Sequence, residues 1–115
     1  MSEPKALIYS YLITINIPNT STPIPVYQER PEVLTSFPVI TFYISNNKPD
    51  VLMDKTLGAD HMEVTIDIWS KNSKEAGLIM KAVESVMRSN NFLISYNSDI
   101  VEPENIAHIQ TRFIY

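Results

Sequence analysis

A strand signature running straight into a capped helix constrains this chain more than anything else in it. From His61 to Ser70 the residues alternate, with Val64, Ile66 and Ile68 on one face and Glu63, Thr65, Asp67 and Trp69 on the other, the period of a strand. Asn72 and Glu75 then form a capping box, in which the Asn side chain takes a first-turn N–H and the Glu reaches back. Ala76, Ile79, Met80, Val83, Val86 and Met87 follow at helical spacing, which predicts a helix over about residues 73–89. Gly77 costs that helix about 1 kcal/mol relative to alanine, and reads either as a close helix approach to the sheet or as a tolerated loss. Asn90 and Asn91 suit a left-handed C-terminal cap.

Upstream the texture changes, because seven of the eight prolines lie in the first 50 residues, where loops, turns and edge strands are expected. Leu7, Ile8, Tyr11, Leu12 and Ile15 after Pro4 predict a short N-terminal helix; the β-branched Ile8, Ile13, Thr14, Ile15 and Ile17 keep a strand as its rival, and Pro18 ends either. Asn19 to Pro25 reads as a loop, and Ile24 to Gln28 as a short edge strand interrupted by Pro25. Val39 to Ile44 reads as a central strand, closed by a turn or loop tip at Ser45, Asn46, Asn47, Pro49 and Asp50, with Val51 to Gly58 extending the arms of a long hairpin towards His61.

After the helix, Phe92, Ile94 and Tyr96 alternate with Leu93, Ser95 and Asn97 in a strand that turns at Asn97, Ser98 and Asp99. A last strand covers Ile106 to Tyr115, with Ala107, Ile109, Thr111, Phe113 and Tyr115 on one face and His108, Gln110, Arg112 and Ile114 on the other. The expected fold is α+β: one domain with a mostly antiparallel sheet of about four to five strands, one main helix and a short N-terminal helix.

Composition narrows the function classes. A length of 115 residues suits one domain with a sufficient core, and the absence of cysteine excludes disulfides, iron–sulfur clusters, thiolate zinc sites and thiol catalysis. A net charge of −4, spread evenly over both halves, lacks the basic excess of a protein that grips phosphates. The longest apolar stretch, Leu7 to Ile17, is too short to cross a bilayer and lacks a signal-peptide cleavage site.

Chemistry-bearing motifs are scarce. Gly58 and Gly77 are too far apart for a phosphate loop, and no Gly-x-Ser-x-Gly elbow occurs. His61 and His108 lack metal-ligand spacing; both are expected at strand edges or on exposed faces, with a proton switch at His108 as the alternative. The pairs Asp50/Asp54, Asp60/Glu63 and Glu102/Glu104 read as solvated turns. No metal or cofactor is expected, and no enzymatic activity. Trp69 is more informative, because it occupies the polar face of its strand, so that either the N-terminal helix covers it or it anchors a subunit contact. Tyr9, Tyr11, Tyr27, Tyr43, Tyr96 and Tyr115 suit interfaces and core margins equally.

The strand Glu63-Val-Thr-Ile-Asp-Ile-Trp-Ser70, an E-x-x-x-D-x-W-S pattern followed by the capped helix, resembles the small tail-completion proteins of tailed phages and prophages, the head–tail joining and tail-terminator group. The likeness extends over nearly the whole chain: an N-terminal helix, Ile24-Pro-Val-Tyr27, Pro38-Val-Ile-Thr-Phe42, a mobile hairpin and the closing Ile106 to Tyr115 strand.

It implies a structural virion protein that assembles as a ring, commonly a hexamer, on the tail tube, joining it to the head connector with DNA passing through the lumen. Six such chains would carry about −24, which suits a channel that DNA slides through. Ring closure needs two different patches. The expected ones are the Asn46 to Asp60 hairpin, with Asp54 and Lys55 near its middle, and the face of Trp69, with Tyr115 as a further interface residue; a plain flexible connector is the other reading of the hairpin. A ferredoxin-like ligand-binding or regulatory domain shares this texture and would show an apolar pocket. A compact hydrolase or nuclease would need convergent carboxylates and a metal.

Overall fold

The computed structural model describes residues 4–29, 37–49, 60–102 and 105–115. Its elements are α1 (Pro4–Leu12), β1 (Val26–Gln28), β2 (Val39–Pro49), β3 (Asp60–Ser70), α2 (Ser73–Ser89), β4 (Leu93–Val101) and β5 (Ala107–Ile114). The five strands form one sheet in the order β1-β2-β3-β5-β4. Only β1 and β2 pair in parallel, so the fold is α+β with a mostly antiparallel sheet. β4 runs parallel to β3 with β5 between them, and α2 makes the crossover.

One face of the sheet holds the core. Ile40, Ile68 and Ile109 lie side by side, then Phe42, Ile66 and Thr111, then Ile44, Val64, Phe113 and Ile94. Ala76, Ile79, Met80, Val83 and Met87 of α2 cover these rows together with Ile8 and Leu12 of α1, in one buried cluster. The helix favoured by periodicity at the N-terminus therefore forms, on the same side as α2.

Both ends of α2 are capped, the first by side chains and the second by backbone hydrogen bonds. Asn72 Oδ1 accepts from the Lys74 and Glu75 N–H groups at 2.8 and 3.1 Å. The return arm is relayed: the Asn72 N–H donates to Ser70 Oγ at 3.0 Å, and Ser70 Oγ donates to Glu75 Oε1 at 2.6 Å. Ser70 thus couples the end of β3 to the first turn of the helix. At the other end Asn91 takes the left-handed conformation, with φ 72°. The Phe92 and Asn91 N–H groups close onto the carbonyls of Met87 and Arg88, the Schellman pattern, and Phe92 and Met87 are both buried.

Several expectations are corrected. β2 does not turn at Ser45 but continues as strand to Pro49, through a register shift between Ile44 and Asn46. β4 runs through Asn97, Ser98 and Asp99 rather than turning there, because β5 pairs with it as far as Val101. A second shift, between Ile94 and Tyr96, places Tyr96 beside Arg112 on the opposite face from Ile94. Val51 to Gly58 lies outside the described residues.

Gly77 is not a point of tight approach: a Cβ built there meets nothing within 4 Å, and the residue borders an open groove of about 390 Å³ between α2 and the β4–β5 edge. Gly77→Ala is expected to stabilise the protein by about 1 kcal/mol, raising the calorimetric midpoint by about 4 °C. A lowered midpoint would mean that the groove closes around this residue.

Candidate assembly face

The sheet face opposite the helices carries the other half of each strand's alternation. Register sets its rows: Val39, Trp69, His108 and Ile100; then Tyr27, Thr41, Asp67, Gln110 and Ser98; then Tyr43, Thr65, Arg112 and Tyr96. A one-sided sheet would leave these residues wet, yet Val39, Thr41, Thr65, Asp67, Trp69 and His108 are all buried.

Trp69 organises the first row. Its indole stacks on His108, ring centroids 3.6 Å apart and 17° from parallel, while Nε1 donates to Thr41 Oγ1 at 3.0 Å. The expectation that the N-terminal helix covers Trp69 is corrected, since α1 packs on the other side of the sheet.

The imidazole lies between two carboxylates. Nε2 is 2.6 Å from Asp67 Oδ1 and Nδ1 is 2.8 Å from Glu102 Oε2, and Asp67 Oδ1 also accepts from Gln110 Nε2 at 3.1 Å. A neutral imidazole would turn one lone pair towards a carboxylate, whereas the imidazolium donates to both. Burial by itself lowers the His108 pKa; the hydrogen bonds to Asp67 and then Glu102, with the charges of both, outweigh it and hold the pKa above 6.5.

His108 is therefore not the exposed strand residue that alternation suggested, and Glu102 is not merely a solvated turn residue. What alternation misses is the partner: 41 residues separate Asp67 from His108, and only the β3–β5 register brings them together. The one sequence signal was an aromatic side chain, Trp69, on a nominally polar face. Among the described residues no group of three or more His, Cys, Asp or Glu side chains is arranged to hold a metal.

The third row is wetter. Tyr43 and Tyr96 are 41 % and 44 % exposed, and the Arg112 guanidinium sits 5.5 Å from the centre of the Tyr96 ring. Half-exposed tyrosines around an arginine form the composition enriched at protein interfaces.

Of the residues expected at an interface, Asp54 and Lys55 lie outside the described residues. Trp69 is 5 % exposed within the subunit, whereas Tyr115 is 57 % exposed and tilts against Phe92. The two are not brought together: Tyr115 is hydrogen-bonded to Met62, near the start of β3, and Trp69 lies at its end.

A helix-backed sheet whose second face is locked by a stacked Trp69–His108 pair held between carboxylates, and rimmed with tyrosines, defines a small α+β scaffold. Residues 16–114 match the family model of the tail completion protein gp17, and the chain belongs to that family. The match bears out the likeness in the β3 and α2 sequence and makes this a structural protein of the phage tail, which works in association with other tail and head proteins. No curated protein matches the chain.

Proposed function

We propose that the protein caps the tail tube and joins it to the head connector, acting as a one-domain subunit of a ring, most simply a hexamer, around the DNA channel. The observation that carries this reading is the tail-completion family match over residues 16–114. The electrostatics are compatible, because a ring of subunits each at −4 carries a net charge of the same sign as DNA. Assembly would take place in the host cytoplasm and the finished ring would reside in the virion.

Such a ring needs heterologous contacts, two unlike patches that meet between neighbours. The segment containing Asp54 and Lys55 supplies one in this proposal, and the Trp69 face the other, with Tyr115 on the rim. Because Trp69 is held inside the subunit, it acts by fixing the sheet that presents Tyr43, Tyr96 and Arg112.

Light scattering across a concentration series, with negative-stain imaging of any large species and of purified tail tubes mixed with the protein, tests the proposal. A closed ring near six subunits, alone or on the tube end, is the expected outcome. A protein that stays monomeric at high concentration and leaves tube ends bare would overturn it.

A further inference from the structure

We propose that Thr65 and Arg112 form a receptor for a carboxylate presented by a second copy of this chain, an inference that rests on the ring reading above. The two residues are direct cross-strand partners on the sheet face opposite α1 and α2. Thr65 Oγ1 and Arg112 Nε are both buried, and neither has a hydrogen-bond partner among the described residues. Adjacent unpaired buried groups are uncommon in a folded chain, and each is costly to leave unmade.

What would satisfy them is chemically narrow. The hydroxyl and the Nε–H can both donate, and the guanidinium is cationic, so the matching group has two acceptor oxygens and a negative charge. A carboxylate meets all three requirements, whereas an amide or hydroxyl leaves the charge uncompensated. Tyr43 and Tyr96 flank the pair in the same row, and the two donor atoms are themselves shielded from water, which strengthens a charge-assisted bond formed there. Docking includes a side-chain rotation, of Arg112 or of the half-exposed Tyr96, that uncovers both donors; such rotamer changes are common at interfaces.

Charge complementarity points to a second copy as the source. Thirteen acidic against nine basic side chains make the approach of two copies repulsive, at −4 each. Among the described residues Arg112 makes no ion pair and no helix packs on its face of the sheet, so a neighbour's acid on this site removes repulsion where the subunits touch. A cationic receptor meeting an acid from elsewhere on the neighbour is a heterologous contact, the kind that closes a ring.

Sedimentation velocity on wild type, Thr65→Val, Arg112→Gln and Arg112→Lys tests this, with thermal midpoints measured in parallel. Thr65→Val removes an unpaired hydroxyl at nearly constant shape, so its midpoint is expected to hold or rise while subunit affinity falls about tenfold. Those opposite signs separate docking from folding. Arg112→Gln is expected to weaken association about a hundredfold, and Arg112→Lys to behave more like Gln than like wild type, because a lysine lacks the planar fork. Unchanged assembly in Thr65→Val and Arg112→Gln would overturn the receptor and leave the ring standing on another contact. A wild type that never self-associates, even on tube ends, would overturn both.

Discussion

Replacing His108 with alanine is expected to lower the unfolding free energy by about 3–5 kcal/mol at pH 6, the range for removing one partner of a buried ion pair. The cause is the group left behind. The Asp67 side chain is 9 % exposed and would keep only the Gln110 amide, while Trp69 would lose the ring stacked on it. Urea titration of His108→Ala, Asp67→Asn and the double variant checks this, with the double variant losing less than the two singles together because the residues are in direct contact. Strictly additive losses would mean that the pair carries no coupling.

The same cluster sets a pH dependence with a definite sign. The folded-state pKa of His108 lies above the ordinary 6.5, so the folded chain binds this proton more tightly than the unfolded one. Its contribution is therefore fully present below pH 6.5 and is lost as the pH rises from 6.5 through the higher folded-state value, with a slope of at most about 1.4 kcal/mol per pH unit. Wild-type stability should decline over that interval and the decline should flatten in His108→Ala. Parallel profiles for the two proteins would assign the proton elsewhere.

The second large effect lies on the other face of the sheet. Phe113 has no exposed surface and sits in the row of Ile44, Val64 and Ile94 beneath the helices. Phe113→Ala is expected to cost about 3–5 kcal/mol, the transfer loss of the ring plus the cavity it leaves. Against a typical total of about 5–15 kcal/mol, that leaves the variant partly unfolded in mild denaturant. Phe113→Leu keeps most of the volume and should cost less than about 1.5 kcal/mol, as for volume-conserving core substitutions. Equal losses in the two variants would show that ring shape, not filled volume, holds this end of the core.

Local chemistry was legible in the sequence. The α2 stripe, its Asn72 cap and the alternation of β3 and β5 follow from spacing alone, because hydrogen-bonding rules and one-sided burial act over a few residues. Even the left-handed Asn91 could be placed within one residue. The E-x-x-x-D-x-W-S pattern of β3 was enough to suggest the family. In the fold, Asp67 holds an ion pair, Trp69 stacks as a lid on the imidazole and Ser70 caps the helix.

What spacing could not deliver was everything set by pairing between distant segments. The polar-looking Asn97, Ser98 and Asp99 form strand because β5 supplies partners for their backbone, and a register shift at Ser95 reassigns the faces beyond it. The side of the sheet taken by α1 was equally hidden, since an amphipathic helix specifies an apolar partner but not which apolar surface it meets. His108 shows the division most clearly. Its alternation placed it on the polar face, correctly, but whether that face is wet depends on what lies across the strands. Trp69, Asp67 and Glu102 arrive there through the tertiary register, which turns an ordinary strand histidine into a buried imidazole whose pKa is held above its usual value by two carboxylates.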